Sequence, residues 1–137
     1  MLGELDDNRR IVICDLEAGV GSVVRVGQAD LVLVVAEATT KSIEVARRAV
    51  EIAGDGPQVV VIANRVCEEA DTAAVRDAVP GCEVIVLPEE PAIARADREG
   101  VAPIDVDAGA PGVRAIVALA ERVAGGAAVG SSSLSTS

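Results

Sequence analysis

The chain has 137 residues and a mass of 13.8 kDa, the size of one ordinary domain. Val and Ala supply 24 residues each, whereas Phe, Tyr, Trp and His are all absent. The missing His removes Ser-His and Cys-His nucleophile pairs and imidazole metal ligands; the missing aromatics remove a base-stacking platform; and a net charge of −10 opposes binding to a phosphate backbone, so no nucleic-acid partner is expected.

Residues 1–9 form a polar lead with no apolar core of the kind a secretion signal carries. The run Ile11 to Cys14 predicts a first strand, and Leu31 to Val35 a second. Both are continuously apolar rather than alternating, which fits strands covered on two faces. Lys41 to Ala53 predicts a helix: Ile43, Ala46, Val50 and Ala53 recur at helical spacing, Thr40 can cap, Glu44 can pair with Arg48, and Gly54 can end it. Val59 to Ala63 predicts a third strand, Asp71 to Val79 an Ala-rich helix that stops at Pro80-Gly81, and Val84 to Leu87 a fourth strand. Pro91 to Glu99 predicts a helix with Pro in its first turn and Gly100 at its end. Ala102 to Val106 reads as a short edge strand. Pro111 then opens a last helix, whose stripe is Val113, Ile116, Val117, Ala120 and Val123 and whose end is Gly125-Gly126. The domain thus spans residues 10–125, and residues 126–137, small and polar, read as a disordered tail.

Strands alternating with helices predict an α/β fold with a mostly parallel sheet and helices on both faces. No apolar run approaches the ~20 residues of a membrane span, so a cytoplasmic protein without a membrane partner is expected. Cys14, Cys67 and Cys82 form no CxC or CxxC pair, and buried, reduced thiols are the expectation for them. Ligands of parallel α/β sheets bind beyond the carboxyl ends of strands. That directs attention to Asp15 to Gly21, Glu37 to Thr40, Asn64 to Val66 and Pro88 to Pro91. Asp15, delivered by an apolar run, has two readings: a carboxylate that orients the water shell of Mg²⁺, or a turn or capping residue. Gly19 and Gly21 serve equally a switch loop or a plain turn.

Taken in order, IVICDLEAG, QADLVLVVAEATTKSIEVARR, VVVIANRV and LPEEPAIARADREG resemble the C-terminal half of the ParA/MinD superfamily of deviant P-loop ATPases. The DLEAG variant looks most like the CooC branch, accessory ATPases of nickel insertion into carbon monoxide dehydrogenase. The resemblance implies a partial SIMIBI-type P-loop NTPase fold that lacks the P-loop strand. It matches Asp15 to the Walker B Asp that assists Mg²⁺ and places Glu17 and Gly19 in the switch segment. Asn64 matches the Asn that reads the adenine edge, with Arg65 beside it, and Pro88, Glu89 and Glu90 match the loop that passes the base. An Asn amide offers adenine a donor and an acceptor together, although Asn64 also reads as a turn or cap residue.

The departures bear on function. No GxxxxGK pattern exists, and the one lysine, Lys41, has no glycine before it. The reading is therefore a nucleotide-binding module for Mg-ATP, inactive or weak alone. It implies a homodimer or a chain supplying the P-loop half, and a metalloenzyme client in metal-centre maturation. The CxC pair of CooC-type nickel handling is missing, as is the basic C-terminal helix of MinD-type membrane targeting. A non-catalytic interaction module is the alternative, and a receiver-like α/β domain a third.

Overall fold

In the computed structural model residues 10–16 and 29–125 are described. Their elements run in the order β1 (Leu31–Ala36), α1 (Thr40–Ala53), β2 (Gln58–Val66), α2 (Glu69–Ala78), β3 (Glu83–Pro88), α3 (Pro91–Glu99), α4 (Pro103–Val106) and α5 (Pro111–Ala124). The fold is α/β: a three-stranded parallel sheet in the order β1-β2-β3, with a helix between successive strands. The chain divides into two compact units, one ending at Val86 and the other beginning at Leu87.

In the first unit β1 and β2 pair in register from Leu31 opposite Gln58 to Ala36 opposite Ala63. One face of this pair presents Val34, Ala36, Val61 and Ala63, which pack with Ala46 of α1, Val75 of α2 and Val79. The opposite face of β2 is buried as well, with Val60 and Ile62 only 2% and 1% exposed. A continuous apolar run is what a strand covered on both sides requires. β1 differs, because Leu33 and Val35 on its second face remain exposed.

Helix α1 starts after Thr39 rather than Thr40: the Ser42 N–H donates to Thr39 Oγ1 at 3.2 Å. Its solvent side is laced by Arg47, which donates twice to the Glu44 carboxylate, at 2.8 and 3.2 Å, and also pairs with Glu51. These are the three- and four-residue spacings at which helical side chains meet. The Arg47 hydrogen bond, followed by the attraction of its charge and the pairing with Arg48, holds the Glu44 carboxyl below the ordinary range.

The second unit packs Ala92, Ala110 and Val113, with Ile93 and Val106 against them. One carboxylate organises it. Glu90 is the N-cap of α3, where its Oε2 accepts from the Ala92 N–H at 3.3 Å. Its Oε1 accepts from the Gly112 N–H at 2.8 Å, in the first turn of α5. The N-cap of α5 is Ala110, which has no side-chain oxygen, so Glu90 satisfies an orphan donor that the local sequence cannot. Gly112 has to be glycine here: a Cβ would lie 2.4 Å from Glu90 Cβ. α3 ends at Gly100 in the left-handed region, with the Val101 N–H returning to the Ala96 carbonyl at 3.0 Å.

Three expectations are corrected. Ile11 to Cys14 forms no strand; Ile11, Val12 and Ile13 are 57%, 44% and 82% exposed. Residue character gives the propensity for a strand, but a strand exists only where a neighbour completes its hydrogen bonds. Ala102 to Val106 is not an edge strand, since residues 103–106 are the helical turn α4. Pro103 at its first position has φ preset for a helix and no N–H to give a ladder. The thiols are not buried: Cys14 and Cys67 are exposed and Cys82 is half-buried. Cys14 shares the exposure of its run, and Cys67 lies past the buried part of β2. Residues 1–9, 126–137 and the span containing Glu17 and Gly19 lie outside the described residues.

Two stability measurements check this account, both by circular dichroism because no Trp or Tyr reports fluorescence. Gly112→Ala lowers stability by about 1–3 kcal/mol through overpacking, and Glu90→Ala by about 1 kcal/mol through the lost caps. Glu90→Gln, which keeps an acceptor oxygen, falls between Glu90→Ala and the parent. The second concerns pH. Because the folded carboxyl of Glu44 lies below its unfolded value of 4.5, its contribution is complete above that value. It is lost as pH falls through the folded pKa, so Glu44→Gln flattens the acid limb of a melting-midpoint profile below about pH 4.5.

Candidate functional site

The register that sets Ala36 opposite Ala63 places Glu37 and Asn64 side by side, one step beyond the paired ends of β1 and β2. Arg65 follows at the end of β2. Its Nη1 donates to Glu37 Oε1 at 3.3 Å, joining the two strand ends by an ion pair whose members are 61% and 42% exposed. Such exposure leaves the pair worth under about 1 kcal/mol. The backbone of Arg65 is more informative: φ is 56°, the one positive value at a non-glycine among the described residues. Holding a residue other than glycine there costs roughly 1–2 kcal/mol. Asn64, just before Arg65, is half-buried, and β2 runs on to Val66.

The loops around these residues are closed by their own side chains. The Glu37 N–H donates to Ser42 Oγ at 2.9 Å, and Thr39 caps the Ser42 N–H. At the entrance to α2, Asp71 Oδ2 accepts from the N–H groups of Cys67, at 2.9 Å, and Glu68, at 3.2 Å. A helix N-terminus attracts anions through free N–H groups and a positive dipole end. That of α2 is instead occupied by a carboxylate and flanked by Glu68 and Glu69, which makes it a poor phosphate cradle. Between α1 and the β1 end lies a recess lined by Ala36, Ile43, Ala46, Val75, Ala78 and Val79, which carries no polar side chain to orient a ligand.

The sequence-derived residues are distributed unequally. Asn64 and Arg65 come together at the β2 tip. Asp15 is exposed in the segment 10–16, outside any strand. Pro88 is the last residue of β3, and Glu89 and Glu90 follow it, all three in the second unit. Pro88 is half-buried and Glu89 exposed, while the Glu90 carboxylate is engaged by the N-termini of α3 and α5. The Glu90 side chain is therefore committed to the two helix N-termini. Glu37 as the partner of Arg65 was not foreseen; its position as first residue after β1 was the available signal. No group of three or more His, Cys, Asp or Glu able to hold a metal occurs among the described residues. Nor do these residues contain the glycine-lysine loop that Mg-ATP phosphates require. No helix among the described residues is long and apolar enough to cross a membrane.

No protein-family model matches the chain, and a comparison with curated proteins finds no match.

The strain at residue 65 can be measured. Arg65→Gly relieves the positive φ at the cost of exposed side-chain interactions that include the Glu37 pair, so it stabilises the chain by up to about 1 kcal/mol after the entropy of glycine is counted. Arg65→Val, which keeps the strain and adds β-branching, destabilises it. Urea unfolding followed by circular dichroism reads both.

Proposed function

We propose that this chain is the nucleotide-binding half of a ParA/MinD/CooC-like ATPase, holding the base-reading end of the site and relying on another chain for the phosphate loop. The observation that supports it is the placement of Asn64 and Arg65 at the carboxyl end of the most deeply buried strand. There a ligand of a parallel sheet is expected, and a half-buried amide can offer adenine one donor and one acceptor. Catalysis is not assigned to the chain alone, because nothing in it takes the part of the lysine loop. Binding of Mg-ATP is weak or conditional on the chain that supplies the loop. Service to a metalloenzyme rests on the DLEAG resemblance alone, and location in the cytoplasm on the lack of an apolar span in the sequence.

A second reading, a non-catalytic interaction module, is favoured by the exposed apolar run at Ile11 to Ile13. A titration of the labelled chain with ATP, followed by amide chemical shifts, separates the two. The nucleotide reading expects shifts centred on Asn64 and Arg65, with a dissociation constant of about 1 mM or weaker, abolished by Asn64→Ala. Absence of those shifts, or their persistence in Asn64→Ala, leaves the interaction module as the function.

A further inference from the structure

The face of the sheet that carries Leu33 and Val35 reaches the strand ends at Glu37 and Asn64. Val35 lies opposite Ile62 in the β1–β2 register, and Glu37 and Asn64 stand two residues further along the chain from each. Two-residue steps return to the same face of a sheet. Alternation carried one residue past β1 therefore sets both polar side chains on the side of Val35 and Ile62, away from the cluster of Val61 and Ala63. Glu37 is held at that point by the bond from its N–H to Ser42 Oγ.

By the same count Arg65 belongs to the opposite face. Its left-handed backbone breaks the alternation: Val66 packs against the Val61 and Ala63 cluster, where strict alternation would place it with Asn64. The Arg65 guanidinium reaches Glu37 instead. A carboxylate, an amide and a guanidinium thus meet at one end of one face.

Beneath them the two strands differ. Ile62 is 1% exposed, whereas Val35 is 61% exposed and Leu33, one step lower, 38%. An apolar step therefore lies open directly below Glu37. The combination suits a planar group that is apolar across its faces and polar along its edge. Glu37 only accepts hydrogen bonds, so it selects an edge that carries an N–H, and its charge opposes a phosphate at this position. Adenine presents such an edge, with the N6 amine donating beside N7, which accepts.

We infer that Val35 and Glu37 complete a purine-base subsite with Asn64: the ring rests on Val35, the Glu37 carboxylate accepts from the exocyclic amine, and the Asn64 amide donates to N7. Glu37 is then the residue that demands the amine. The inference rests on the nucleotide reading above and adds the surface and the acceptor that reading lacks.

Methyl and amide chemical shifts of the labelled full chain, titrated with adenosine and with purine riboside, which has no amine, test it. The chain contains no aromatic residue, so an upfield ring-current shift at the Val35 methyls comes from a bound base. Adenosine is expected to give that shift together with shifts at Asn64, and to bind about fivefold more tightly than purine riboside. Glu37→Ala abolishes the preference by weakening adenosine alone, and Glu37→Gln, which keeps an acceptor oxygen, retains part of it. The Glu37 side chain is 42% exposed, and unchanged shifts elsewhere confirm the fold. The ring-current shift and the preference of the parent need no variant. Shifts at Asn64 without upfield movement at Val35, equal affinity for the two nucleosides, or a preference that survives Glu37→Ala overturn the subsite and leave the nucleotide reading standing. Adenosine that moves neither residue overturns both.

Discussion

The fold depends on burying a central strand with side chains no larger than Ile. With no aromatic residue, the core cannot be filled by a few large groups, so the backbones must come close and many small groups must share the task. β2 meets this condition through Val60, Val61, Ile62 and Ala63, all 2% exposed or less. The facing positions Ala36, Ala46 and Ala63 bring α1 onto the sheet with little side chain between them. A buried Val stabilises by about 1.5–3 kcal/mol when its whole side chain leaves water. A core of this kind therefore gains its stability from the number of contacts and tolerates few unfilled positions. Its edges show the limit: β1 fills one face and leaves Leu33 and Val35 on the other in solvent.

Polar geometry at the strand ends follows the same economy. Helix N-termini, often left open where anions bind, are here closed by Thr39, Asp71 and Glu90. What remains unusual is concentrated at Arg65, beside Asn64, where the backbone departs from the regions most side chains favour. Strain kept at a strand end while the surrounding loops are fully capped distinguishes that position from an ordinary turn.

Much of the architecture was legible in the sequence because it rests on local character. The runs Leu31 to Val35, Val59 to Ala63 and Val84 to Leu87 fall inside β1, β2 and β3, and Gly100 ends α3 as its position suggests. The strand-end placement of Asn64 and Arg65 was legible for the same reason, since it follows from where an apolar run stops. The failures share a cause too. Ile11 to Cys14 has strand character without a neighbour, and Ala102 to Val106 contains a proline whose backbone preference outweighs the apolar pattern. The Arg65–Glu37 pair spans 28 residues and the Glu90–Gly112 bond 22, distances at which no spacing rule operates. The left-handed backbone of Arg65 carries no sequence signal at all, because arginine is not a residue chosen for that conformation.

The Glu90–Gly112 contact reaches beyond stability. A carboxylate that serves two helices, packed where a methyl group cannot fit, ties the two positions into one unit of variation. Loss of the glycine alone leaves a collision, and loss of the glutamate alone leaves an unfilled acceptor role at α5. In a lineage of related chains the two sites would change jointly, because a side chain at 112 collides with the Cβ at 90 itself and not only with its carboxylate arm. The pair is thus a register of descent written across both helices, recognisable by covariation where overall sequence similarity has faded.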